Sequence, residues 1–176
     1  IIFMILSFDV GIMNLAYCLI ETTSNKIEKW DVCKIPSNNM KQLIGFLDSL
    51  NFDSTAIDLV LVEKQPSRNC KMRIIEHVLL TFFLVKRFNN VLSFNPKLKL
   101  GSLGKSVKGK QNYSTRKKYG IIMTNRFLSD FPQSSEIENT FKTNSKKDDL
   151  SDSLLQALSY YNPALVESLQ NCILTV

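Results

Sequence analysis

Asp9, Glu63, Asp149 and Asp152 are carboxylates that close apolar, strand-like runs or open an amphipathic segment. A carboxylate in or just after a buried strand is costly unless something cationic neutralises it, because an unpaired buried charge protonates or destabilises the fold. Asp9 lies in Ser7-Phe8-Asp9-Val10-Gly11, where Gly11 leaves backbone room, and Glu63 ends the aliphatic run Leu59-Val60-Leu61-Val62. Asp149 and Asp152 are three apart, so on a helix they share a face and can grip one cation together. Hard oxygen ligands from separate elements suit magnesium or manganese. Two such ions about 3.5–4 Å apart activate a water and stabilise the leaving oxygen in phosphodiester hydrolysis. The chemistry indicated is hydrolysis of nucleic acid with two Mg2+ or Mn2+ ions, with Asp9, Glu63, Asp149 and Asp152 as ligands.

Each acid also has a plainer reading. Asp9 alone reads equally as a strand-end residue starting a turn, and Glu63 as a strand terminator paired with Lys64 or Arg68. Acids near a helix N-terminus complement its dipole, and Ser145 with Asp148 resembles a capping box. Capping explains Asp152 less well, since it lies beyond the first turn and beside the apolar Leu154. The chain order of a strand Asp, a strand-end Glu and an i, i+3 acid pair favours the metal reading.

The cations are distributed to match. The net charge is +6 and the pI about 9.1, which favours a polyanionic partner. The 22 residues 97–118 hold Lys97, Lys99, Lys105, Lys108, Lys110, Arg116, Lys117 and Lys118 without one acid. Lys64, Arg68, Lys71 and Arg73 form a second basic group after Glu63. Such a run is often only solvated surface. As phosphate contacts, these side chains give salt-sensitive affinity without base specificity. Lys105, Lys117 and Lys118 are candidates to balance charge developing on the phosphate, and Tyr113 is a candidate for base stacking. Trp30 reads as core or edge packing, and His77 as a packed or interface histidine rather than a catalyst.

The elements that must position these groups follow from periodicity. Strands are expected over residues 3–8, 15–20 and 27–33 as an antiparallel meander with a turn at Thr23-Ser24-Asn25. A helix is expected over 38–50, a strand buried on both faces at 59–62, and a strand at 91–94. The helix over 70–88 is apolar round much of its circumference and suits a central or subunit-facing place. Residues 97–118 read as a mobile loop, 119–131 as helix, 132–145 as polar loop, and 146–161 as the last helix, stopped by Asn162-Pro163.

A chain of 176 residues is the size of one domain, taken here as 1–176. Apolar runs are too short and broken to cross a bilayer. The opening residues lack the basic flank and cleavage site of a signal peptide, and Met4 reads as the natural start. Cys18, Cys33, Cys70 and Cys172 form no CxxC pair, which argues against a zinc site or disulfide framework and for a reduced intracellular setting.

Three segments carry a resemblance to a known family. Phe8-Asp9-Val10-Gly11-Ile12-Met13-Asn14-Leu15-Ala16-Tyr17, then Leu61-Val62-Glu63-Lys64-Gln65-Pro66, then Lys146-Lys147-Asp148-Asp149-Leu150-Ser151-Asp152-Ser153 resemble the RuvC-type Holliday junction resolvases. Within that group the likeness is strongest to the poxvirus resolvases and related fungal mitochondrial enzymes, over residues 3 to about 160. The resemblance implies an α/β ribonuclease H-like fold with a mixed five-stranded sheet flanked by helices. It implies a homodimer, joined through helix 70–88, that nicks two opposed strands of a four-way DNA junction, in the host cytoplasm if the source is viral. The family's four metal-binding acids fall on Asp9, Glu63, Asp149 and Asp152, and its catalytic lysine on Lys117 or Lys118.

Three rival readings share parts of this pattern. A ribonuclease H-like nuclease acting on RNA or hybrid would use the same acids. A non-catalytic junction-binding module would use them only as caps and lysine partners. An actin-type ATP-binding fold also opens with Asp-x-Gly, but the chain is short for its two lobes.

Overall fold

Strand alternation sets the two layers. In the computed structural model, which describes residues 3–36, 39–99 and 112–174, successive side chains of β1 (Met4–Val10) enter different cores. Leu6, Phe8 and Val10 pack on one face of the sheet and Ile5 on the other. Asp9 is in phase with Ile5 and Ser7. By the same rule Leu59, Leu61 and Glu63 share that second face on β4 (Leu59–Glu63).

The sheet is mixed and five-stranded, in the order β3-β2-β1-β4-β5, as the resemblance implies. β2 (Asn14–Glu21) and β3 (Lys26–Lys34) complete an antiparallel meander with β1, and β4 and β5 (Val91–Phe94) add parallel strands on the other side. β4 is buried on both faces along Leu59–Val62, which explains its unbroken aliphatic sequence.

The first face is covered by α1 (Met40–Ser49) and α2 (Cys70–Val85), whose Leu43, Leu47, Ile75, Leu79 and Phe83 are fully buried. Asn39 and Asn69 cap these helices through their side-chain oxygens. Among the described residues the second face carries four helices: α3 (Asn112–Asp130), α4 (Ser135–Thr143), α5 (Lys147–Tyr161) and α6 (Pro163–Leu174). Among the described residues no helix is long and apolar enough to cross a membrane.

Three expectations need correction. Residues 112–118 begin α3 instead of continuing a loop, so Arg116, Lys117 and Lys118 are helical. Residues 132–145 are not loop throughout: Ser134 caps α4 by accepting from the Ile137 amide, and Ile137 and Phe141, four apart, bury one face. Phe141 stacks on Trp30, with centroids 5.1 Å apart, which makes Trp30 a core residue. Asn162-Pro163 ends α5 but also starts α6, because proline suits a first helical turn and Asn162 Oδ1 accepts from the Leu165 amide.

Gly11 sets the turn after Asp9. Its amide donates to the Asn14 carbonyl at 2.9 Å, and a Cβ added there would stand 2.8 Å from that oxygen. Gly11→Ala is expected to force the β1–β2 turn open, costing about 1–3 kcal/mol. A thermal melt should show the loss, and an unchanged midpoint would mean that the turn yields without strain.

Candidate active site

β1 and β4 are parallel neighbours whose register pairs Phe8 with Val62. Asp9 and Glu63 come next on each strand, so both acids stand side by side at the carboxyl end of the sheet. In open α/β sheets this edge is where binding crevices form. α5 crosses the same face and brings Asp149 and Asp152. Its crossing point is held by Gln156, one turn after Asp152, whose Nε2 donates to the Phe8 and Leu61 carbonyls at 3.2 and 3.4 Å. The Gln156 Oε1 is buried with no hydrogen-bond partner among the described residues.

At the centre of these acids lies a residue assigned by its sequence to surface DNA contact. Lys99 is 4 % exposed. Its Nζ donates to Asp9 Oδ1 at 2.7 Å and lies 3.0 Å from Glu63 Oε1. It follows a 3-10 turn (Pro96–Leu98) after β5, and Ser159 Oγ of α5 donates to its carbonyl at 3.2 Å. Lys99 is therefore no exposed phosphate contact. Burying an ammonium requires carboxylate partners, and Asp9 and Glu63 supply them.

One ammonium does not balance the acids around it. Burial pushes the Asp9 carboxyl up to about 6, Lys99 opposing this and the Glu63 charge adding to it. Burial likewise raises Asp152 to about 6, against Lys99 and with help from Asp9 and Asp149. Asp149 is also raised, by burial and then by Asp148 and Asp9. Burial pulls Lys99 down, but Asp9, Asp152 and Glu63 more than offset this and hold its amine well above the usual lysine range. An isolated ion pair would lower the acid's pKa. Here several carboxylates share one cation, so the lysine is over-compensated and the acids are under-compensated.

This imbalance has a stability signature. Asp9 and Asp152 bind protons more tightly folded than unfolded between about pH 4 and 6, so stability falls as pH rises through that window. Lys99 stays protonated throughout it, and Asp148, lowered by Lys117 despite burial, acts below it. Metal-free protein is expected to melt at a higher temperature at pH 5 than at pH 7.5, with a smaller difference in Asp152→Asn. Melting that rises towards pH 7.5 would mean that the cluster is already neutralised.

Supporting groups extend the site. Gln65 Nε2 donates to Glu63 Oε2 at 2.9 Å, and the Gln65 amide donates to Glu76 Oε2 at 2.9 Å. Glu76, 4 % exposed inside α2, also accepts from Ser93 Oγ at 2.8 Å. A chain of contacts from β5 through α2 thus orients Glu63. The sequence places Lys99 among surface DNA contacts and singles out none of Gln65, Glu76 and Gln156; for Glu76 and Gln156 the available signal was a polar residue among buried apolar helical positions.

The remaining candidates are arranged as follows. Lys117 pairs with Asp148 at the rim, and its charge reaches Asp149 and Asp152. The capping box expected of Ser145 and Asp148 is absent, since α5 has no side-chain cap and Asp148 faces Lys117. Lys118, Arg116, Lys97, Lys64, Arg68 and Lys71 are exposed. Arg73 and His77 are also exposed, but line a groove between α1 and α2. Lys105, Lys108 and Lys110 lie outside the described residues, as does the side chain of Tyr113.

Every candidate ligand is a hard carboxylate oxygen, the donor type that magnesium and manganese take, and the acids carry more negative charge than Lys99 balances. The donor set fits such ions. Among the described residues no three histidine, cysteine or acidic side chains are arranged as a ready cage; Lys99 Nζ instead occupies the space between two of the acids.

A family model described as poxvirus A22 protein matches residues 3–164. No curated protein matches the chain. Among solved structures, the fowlpox virus resolvase in complex with substrate Holliday junction DNA is 27% identical, with a TM-score of 0.63 over 94% of this chain and 98% of that one. The yeast mitochondrial Holliday junction resolvase is 18% identical, with a TM-score of 0.64 over 98% of this chain and 86% of that one. The RuvC of T. thermophilus with Holliday junction substrate is 18% identical, with a TM-score of 0.55 over 95% and 96%. The last two share the fold.

Proposed function

We propose, from the premise that this chain belongs to the poxvirus A22 protein family of Holliday junction resolvases, how its residues carry out junction cleavage. The protein is a crossover junction endodeoxyribonuclease of ribonuclease H-like fold. Asp9, Glu63, Asp149 and Asp152 hold two divalent ions, Mg2+ or Mn2+. One observation carries this assignment: acids from β1, β4 and α5 meet at one sheet edge, where each of Asp9, Asp149 and Asp152 feels another's charge. When bound, the ions supply an activated water and a sink for charge on the phosphate oxygens.

The chain's own side chains do the rest. Lys117, with Lys118 beside it, faces the phosphate from the rim and offsets its developing charge. Lys64, Arg68, Lys71, Lys97 and Arg116 lay the DNA backbone across the sheet edge, with Lys105, Lys108, Lys110 and Tyr113 as further contacts and Arg73 set apart towards α1. Binding by such contacts weakens steeply with salt.

The active species is a homodimer joined through α2. Its support is an exposed apolar face at the α1–α2 groove, about 810 Å³ in volume and lined by Ile44, Ile74, Val78 and Val85. Ile74 is 52 % exposed and Val85 74 %. None of the four acids lines the groove, whose helices cover the opposite face of the sheet, so we assign it to assembly rather than chemistry. Two copies place two active sites on one junction. Cys18, Cys33 and Cys70 are free thiols, in keeping with a reducing compartment such as the host cytoplasm.

Substrate preference tests the reading. An immobile four-way junction, a linear duplex and an RNA–DNA hybrid of matched sequence should be cut in that order, with the junction at least about 100-fold ahead, a gap of roughly 2.7 kcal/mol. Equal cleavage of the hybrid would assign the acids to a nuclease of the same fold but different substrate.

A further inference from the structure

Lys99 fills the space between Asp9 and Glu63 with its ammonium group, and that contact explains how Asp9, Glu63 and the nearby Asp152 tolerate one another before any ion arrives. We propose that Lys99 is an internal placeholder cation whose amine must leave the carboxylates before a divalent ion can bind. The inference rests on the metal reading above and deepens it.

The geometry supports it in three ways. The amine is within 3.0 Å of both Asp9 and Glu63, so an ion taking oxygens from both acids competes for the same lone pairs and the same space. A lysine ammonium is a compact point charge with three donors and no lone pair, so it cannot join the coordination shell and can only repel a second cation. The anchoring is uneven: the Lys99 amide donates to the Pro96 carbonyl at 3.2 Å and its carbonyl accepts from Ser159, while the amine sits at the end of four rotatable methylene bonds. Withdrawal therefore needs side-chain rotation only, with the backbone held in place.

The device has a function. Metal-free protein keeps the acids gathered and partly neutralised, and an arriving ion meets ligands already in position. The released ammonium stays tethered at the edge of the site.

Two measurements test this at pH 8, one of them without mutation. Wild-type protein, with and without saturating Mn2+, is briefly treated with an amine-acetylating reagent, and modification at each lysine is read by peptide mass spectrometry. Lys99 should be protected in metal-free protein and labelled about tenfold faster with Mn2+, while the exposed Lys64 and Lys97 serve as unchanged references. In parallel, calorimetric titration with Mn2+ compares wild type, Lys99→Met and Asp9→Asn. Lys99→Met should bind Mn2+ at least about tenfold more tightly, because the competing charge is gone; such coupling between two ligands commonly spans about 5–150-fold. Equal labelling of Lys99 in both states, or weaker or unchanged affinity in a folded Lys99→Met, overturns the placeholder and leaves the metal site standing. A wild-type titration that cannot be told from Asp9→Asn overturns the metal reading, and the placeholder with it. Should Lys99→Met fail to fold, the wild-type labelling alone decides.

Discussion

Asp9→Asn is expected to slow junction cleavage by about 100- to 1,000-fold, while junction binding stays within about twofold; removal of a single preorganised contact to transition-state charge costs about this much. The substitution keeps shape and size and replaces one carboxylate oxygen by an amide nitrogen, a poor partner for a hard cation. It also removes one of the two closest partners of Lys99, leaving Glu63 to hold the amine. The exposed lysines and arginines proposed to meet phosphates are untouched, so affinity has no reason to fall. Initial rates on a labelled junction under single-turnover conditions, beside a binding titration without divalent ions, separate the two quantities. Full-rate cleavage by the mutant would remove Asp9 from the chemistry, and loss of binding with loss of cleavage would make its role structural.

Disruption of the α2 face gives the second large effect. Ile74→Asp combined with Val85→Asp is expected to yield a monomer that loses paired cleavage and retains at most single nicks. Both positions are exposed in one copy, so each tolerates a charge in the isolated subunit, whereas in an isologous dimer every change appears twice and desolvates a charge on both sides. Light scattering reads the assembly, and a supercoiled cruciform plasmid reads the outcome, since paired cuts give linear product and unpaired nicks give open circles. A variant that remains a dimer would place the interface elsewhere, and a monomer that still linearises the plasmid at the wild-type rate would show that paired cleavage does not need the dimer.

Much of the site was legible in the chain because its logic is local. Asp9 and Glu63 stand at the ends of runs that alternation and aliphatic residues mark, Asp9 one residue before the end of β1 and Glu63 at the end of β4, and the i, i+3 spacing of Asp149 and Asp152 gives them a common face. β5 fell on residues 91–94 as expected. What escaped depended on contacts across long stretches of sequence. Lys99 lies in a run of cations whose composition reads as solvated surface, and only the fold, joining residues 90 positions apart, turns it into a buried ion-pair partner. α4 is short and mostly polar, so its two buried residues gave a weak period until Trp30 supplied the ring on which Phe141 stacks. Asn162-Pro163 carries both a stop and a start signal, and the apolar Leu165, Val166 and Leu169 packed under it decide for a new helix. Glu76 is one polar position of a greasy helix in the sequence, and only the fold brings Gln65 and Ser93 within hydrogen-bonding reach of it.

Nicking of a synthetic immobile four-way junction, measured as a function of Mg2+ concentration for wild type and Asp152→Asn, bears most directly on the claim that carboxylates from distant segments hold the ions that cut DNA. Wild-type rates should rise from nothing without divalent ion to saturation with Mg2+, with symmetrical cuts in opposed strands, while Asp152→Asn stays near background at every concentration. Cleavage that persists in excess chelator, or an Asp152→Asn curve superimposed on that of wild type, would contradict it.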